Sequence, residues 1–176
     1  MEISYKLLTV TPTLEASPDY SAGDVLFSPT EIPEFFTSKN SSAQIVSLFL
    51  LDKVAANTSA FTLYFTNIAT SIGTVNATAD AAFGVVEEVQ ASIPIVAGDW
   101  VSGDFDNANT CAITSQQVDG SATIHRQGIG SIVSSHNWGW GDRNRTRSIY
   151  ITGIANGTIN CASTSDLYIK IGVKYL

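Results

Sequence analysis

The feature that most constrains this chain is an apolar period of two wherever a period is clear. Leu167, Ile169, Ile171 and Val173 alternate with Tyr168, Lys170, Gly172 and Lys174. Successive side chains of an extended backbone point to opposite faces, so this is the pattern of a strand with one face buried. Phe61, Leu63 and Phe65 alternate with Thr62, Tyr64 and Thr66 in the same way, and Ile149 and Ile151 flank Tyr150. No segment holds helical spacing over the roughly ten residues that a helix needs. Short helical turns are expected only at Thr30 to Phe36 and at Ala77 to Ala82.

The run Ile45-Val46-Ser47-Leu48-Phe49-Leu50-Leu51 is apolar on both faces, Ile45, Phe49 and Leu51 against Val46, Leu48 and Leu50. Such a strand is central with both faces covered, or lies against another chain. The first strand, Ile3 to Val10, begins with Ile3, Tyr5 and Leu7 on one face and then shifts phase to Leu8 and Val10, which predicts a bulge. Further strands are expected near Gly84 to Ala91, Trp100 to Phe105, Ala122 to Ile124 and Ser131 to Val133. Turn-rich stretches separate them, such as Ala22-Gly23-Asp24, Ala97-Gly98-Asp99 and Asp119-Gly120. About eight short strands at this spacing predict an all-β antiparallel sandwich or barrel with little helix, and a jelly roll is the commonest eight-stranded form. With 176 residues and neither repeat nor linker, residues 1–176 are expected to form a single domain.

Composition narrows the function. The formal net charge of -7 argues against nucleic-acid binding, because phosphate affinity comes from Lys and Arg releasing counterions. The charged fraction of 14% is low, and Ser, Thr, Asn and Gly cover much of the surface, as suits a protein with faces occupied by neighbouring subunits. The first ten residues carry no signal-peptide pattern and nothing reaches membrane-spanning length, so no membrane partner is expected. Asn40, Asn57, Asn76, Asn144 and Asn156 open Asn-x-Ser/Thr triplets, read as products of composition. Cys111 and Cys161 are read as buried free thiols.

No catalytic, cofactor or metal site is expected. A hydrolase needs a nucleophile and a base, and the two histidines, His125 and His136, lie in no recognisable motif. Ser134 and Ser135 precede His136, but adjacent strand residues face opposite ways. Asp104, Asp106, Asn107 and Asn109 gather oxygen donors, yet they lack the glycine and the distal Glu of a calcium loop and read as a solvated turn. Two distant cysteines without paired histidines do not make a zinc site.

The most unusual stretch runs from His136 to Arg147. It holds Trp138 and Trp140, two of the three tryptophans, and Arg143, Arg145 and Arg147 in a chain poor in positive charge. Trp and Arg are enriched at contact hot spots, because each buries a large flat area while satisfying a polar edge. The stretch reads equally as a docking loop that meets an acidic partner and as a plug, with the tryptophans closing one end of the sandwich and the arginines solvated. A sugar-stacking platform on the two rings stands behind both. Alternation with Gly139 and Gly141 puts both rings on one side if the stretch is extended.

The order of motifs resembles a family of small structural proteins of tailed bacteriophages, the capsid decoration or cement proteins. The resemblance rests on Tyr20-Ser21-Ala22-Gly23-Asp24-Val25-Leu26, on Ser41-Ser42-Ala43-Gln44-Ile45-Val46-Ser47 leading to Leu50-Leu51-Asp52-Lys53, and on Phe61-Thr62-Leu63-Tyr64-Phe65. It closes on Ser163-Thr164-Ser165-Asp166-Leu167-Tyr168-Ile169-Lys170-Ile171-Gly172 and so covers the chain from Tyr20 onward. The 136–147 loop departs from the plainer region the family has there, so no binding residue is carried over. The resemblance implies a jelly-roll-like sandwich on the outside of a phage head, bridging major capsid subunits as a dimer or trimer, without catalysis or cofactor and assembled in the host cytoplasm. Tail, neck or head-fibre roles and a carbohydrate-binding host-adhesion module are the alternatives.

Overall fold

The computed structural model describes residues 4–38, 41–54, 60–105, 108–114, 117–119, 122–124, 132–134 and 147–176. Its strands are β1 (Tyr5–Val10), β2 (Val25–Ile32), β3 (Ser42–Asp52), β4 (Phe61–Thr66), β5 (Val89–Ile95), β6 (Trp100–Phe105) and β7 (Ala108–Thr114). They continue with β8 (Gln117–Asp119), β9 (Ala122–Ile124), β10 (Ile132–Ser134), β11 (Ile149–Ala155) and β12 (Leu167–Tyr175), and a one-turn helix α1 spans Phe83–Val86. One sheet runs β1-β12-β3-β7-β6 with β10 also on β3, a second runs β2-β11-β4-β5, and β8 and β9 form a small ribbon.

This is an all-β sandwich with jelly-roll connectivity. Among β1, β2, β3, β4, β5, β7, β11 and β12, the first strand pairs with the last, the second with the seventh, the third with the sixth and the fourth with the fifth, all antiparallel. Nested pairing of that kind is a long hairpin rolled into two sheets. The inner faces meet in one core, to which Leu48, Leu50, Ile169 and Ile171 come from one sheet and Phe27, Leu63, Phe65 and Ile151 from the other. Each such side chain, fully buried, contributes about 1.5–3 kcal/mol relative to exposure.

Two expectations about strand phase are overturned. In β3 the bulge falls at Val46: Ile45 pairs with Val173 and Ser47 with Gly172, leaving Val46 without a partner on β12. Ile45 therefore points inward with Leu48 and Leu50, while Phe49 and Leu51 share the half-buried outer face. In β1 the register runs unbroken against β12, so no bulge forms there. Leu8 and Val10 enter the core, and Tyr5 and Leu7 stand on the outer face, 64% and 60% exposed.

Element boundaries shift for tertiary reasons. The strand expected from Gly84 starts at Val89, because residues 83–86 turn as α1 and bury Val85 against Val25 and Ile72. The connection from β4 to β5 crosses the outer side of the second sheet and bonds to its edge, with Val25 N–H donating to Ala77 O at 3.0 Å and Asn76 N–H to Val25 O at 2.8 Å. That cover buries Val25 on the outer side, while Leu26 and Phe27 join the main core where the register with β11 shifts, and the alternation of β2 is hidden. Residues 30–32, expected in a helical turn, belong to β2.

β7 and β10 share one lane beside β3. β12 covers one edge of β3 from Ala43 to Asp52, so the other edge takes β7 along Ser47 to Asp52 and β10 along Ser42 to Gln44. The chain leaves this lane at Thr114 and re-enters it at Ile132, and the β8–β9 ribbon lies within that excursion.

Candidate functional site

Of the five residues proposed for partner contact, Trp138, Trp140, Arg143 and Arg145 lie outside the described residues; Arg147 is within them. The two roots of the segment that carries them are well placed. Ser134, the last residue of β10, pairs with Ser42 at the start of β3. Arg147 returns the chain beside the β2–β3 connection: Phe36 N–H donates to Arg147 O at 2.9 Å, and Arg147 Nε donates to Phe36 O at 3.3 Å. Ser134 and Arg147 thus both lie at one end of the sandwich. Arg147 itself, exposed overall, ties that end together.

The same end is fastened by Lys6 and Glu34, whose charged groups lie 2.6 Å apart, and by the Tyr175 hydroxyl donating to Glu34 O at 3.2 Å. Its bond from Lys6, and beyond that the charges of Lys6 and Arg147, hold the Glu34 carboxyl below the usual carboxylate range.

The chemistry-bearing groups that the structure does describe are committed to the fold. Four buried aspartates each close a turn through a backbone N–H. Asp24 accepts from Ser21 at 2.7 Å, Asp52 from Val54 at 2.9 Å, Asp99 from Val96 at 2.9 Å and Asp166 from Ser163 at 2.7 Å. Short polar side chains satisfy turn backbones in this way, and buried carboxylates need such partners. Cys111 and Cys161 are free and buried, as expected from composition. Burial pushes both thiols up to about 12, and for Cys161 the carboxylates of Asp52, Asp166 and Asp19 add to it. A thiol so far from its thiolate form is a poor nucleophile.

Among the described residues no group of three or more His, Cys, Asp or Glu could hold a metal, and no helix is long and apolar enough to cross a membrane. His125, His136, Ser135, Asp106 and Asn107 lie outside the described residues. Asn109, read as part of a solvated turn, is instead fully buried in β7, with its amide nitrogen 3.3 Å from Val54 O. The amide of Asn76 donates to Pro18 O at 2.7 Å and that of Asn156 to Thr62 Oγ1 at 3.0 Å.

One surface feature was missed by sequence reasoning. On the outer face of the first sheet, Leu7, Gly172, Ser47 and Thr114 form one cross-strand row, and Thr9, Lys170, Phe49 and Ala112 form the next. A groove of about 310 Å³ opens on this face, lined by Leu7, Ser47, Phe49, Ala112, Thr114 and Lys170. Lys170 Nζ lies 5.9 Å from the Phe49 ring centroid and 5.6 Å from that of Tyr168, within cation–π range. The phase shift assigned to β1 hid the outward facing of Leu7, which the unbroken register with β12 fixes.

Fold and site together define a jelly-roll β-sandwich with one grooved outer face. No family model matches the chain, and no curated protein matches it. Among solved structures it shows weak similarity to a chain from the cryo-EM structure of Mud Crab Dicistrovirus, with 10% identity and a TM-score of 0.27 over 99% of this chain and 67% of that one. A chain of the Israeli acute paralysis virus full particle heated to 63 degrees is similar at 11% identity and a TM-score of 0.26, over 98% and 67% of the two chains.

Proposed function

We propose that this chain is a virion structural protein without catalytic activity, a capsid decoration protein that binds the outer surface of a phage head and bridges major capsid subunits. The observation that carries the reading is the anchoring of both roots of the Trp/Arg-rich segment at one end of a jelly roll, Ser134 on Ser42 and Arg147 on Phe36. A contact loop held at both ends on a rigid scaffold loses less entropy on docking. The motif resemblance supports the same role, and the commitment of buried aspartates and thiols to the fold is in keeping with it. Each copy needs only a modest patch, since symmetry multiplies weak contacts.

Co-sedimentation of the purified protein with phage heads that lack it, followed by heating, tests the reading. Saturable binding with raised heat resistance of the heads is the expected result. Absence of binding overturns it and transfers weight to a tail, neck or head-fibre role or to a sugar-binding adhesion module, for which a glycan array is the next measurement.

A further inference from the structure

We propose that copies of this chain associate head to tail, with the α1 knob of one copy seated in the outer-face groove beside Leu7 and Lys170 of the next. The knob is apolar and acidic. Phe83 and Val86 are 79% and 53% exposed, and Glu87 and Asp80 are exposed beside them. Residues 67–88, from which it projects, contain no Lys or Arg. Among the described residues Val85 anchors α1 to the satellite core with Val25 and Ile72, and Phe83 takes no part in that cluster.

The groove is the complement. Its walls are apolar, and the described outward positions of β1, β12, β3 and β7 hold two lysines, Lys170 and Lys174, and no carboxylate. That is a local excess of positive charge on a chain of net charge -7. Opposite charges on otherwise apolar patches set register and exclude the like-charged alternative. At about 310 Å³ the groove has room for an aromatic ring and a neighbouring aliphatic side chain. Gly172 lets the Ser47 hydroxyl that lines the groove lie against β12; a Cβ there would run into Ser47 Oγ.

The two surfaces lie on opposite sides of the molecule, the groove outside the first sheet and the knob outside the second. One copy cannot satisfy both, and a contact between unlike surfaces propagates into a ring or a filament. A contact this small falls below the ~1,000 Å² of a stable pairwise interface, so it acts through repetition. The inference goes beyond the proposed function, which concerns binding to heads. It is tested on the isolated protein, so its failure and the failure of head binding are read separately.

Sedimentation velocity over a concentration series to about 1 mM decides it. The wild-type weight-average sedimentation coefficient rises with concentration. Phe83→Asp and Lys170→Glu each weaken association at least ~10-fold, as loss of an aromatic anchor or of its charge partner does. Mixed together, these two variants form a dimer and stop there, because only the groove of the first and the knob of the second remain. Thermal unfolding confirms that both variants fold. A wild type that stays monomeric across the series, a Phe83→Asp protein that associates like wild type, or a mixture that forms no dimer overturns the proposal.

Discussion

The Tyr20 hydroxyl donates to the Leu26 carbonyl at 2.8 Å and accepts the Glu15 N–H at 2.6 Å. This buried phenol joins the β1–β2 connection to the start of β2. Tyr20→Phe keeps the ring packing and strands both backbone partners, which costs about 1–3 kcal/mol. Urea unfolding reads the loss as a lower midpoint at unchanged slope. An unaltered midpoint removes the hydroxyl from the account of stability.

Stability falls at both ends of the pH scale, for opposite reasons. Burial raises Tyr20 from 10.0 to about 12, and Cys111 and Cys161 from 9.0 to about 12. Groups whose pKa is raised by folding contribute stability that is fully present below their unfolded values and is lost as pH rises through the folded ones. Unfolding midpoints should therefore decline from pH 9 towards pH 12, and a thiol-specific reagent at neutral pH should react only once the chain is unfolded. Glu34 is the reverse case. Its carboxyl lies below 4.5, so its stabilisation is present above that value and lost as pH falls through the lowered one. The difference between wild type and Glu34→Gln is expected at neutral pH and should vanish in acid.

Gly153, at the bulge between β2 and β11, has no room for a side chain. A Cβ there would sit 3.0 Å from a Phe27 ring carbon and 3.2 Å from Leu26 Cδ1. Gly153→Ala should cost about 1–3 kcal/mol through overpacking, whereas Gly157→Ala, with nothing within 4 Å, should leave the unfolding midpoint nearly unchanged. Equal effects of the two substitutions would show that backbone freedom and not packing governs Gly153.

Trp138→Ala and Arg145→Ala are expected to weaken attachment to heads while leaving the unfolding midpoint of the isolated protein in place. Equal attachment by both variants takes the loop out of the docking account. A shared loss of stability instead identifies the pair as the plug of one end of the sandwich.

Alternation placed β4, β11 and β12 in the sequence because one face of each strand meets the core and the other meets a less crowded surface. It missed β2, where the β4–β5 connection buries Val25 on the outer side and the irregular register with β11 turns both Leu26 and Phe27 into the core. It also misassigned Ile45 and Leu7. A single unpaired residue, Val46, reverses the facing of β3, and nothing local to β1 marks Leu7 as outward.

The sequence by itself determined the strand period, the fold class and the burial of both thiols, since these follow from side-chain alternation and composition. Tertiary structure alone decided which apolar residues face outward. The outer-face groove exists only because Leu7, Phe49, Ala112 and Lys170 come from four strands distant in the chain, brought side by side by the nested pairing of the jelly roll. Phe83 became a projecting knob because Val85 found a partner in Val25, far earlier in the chain.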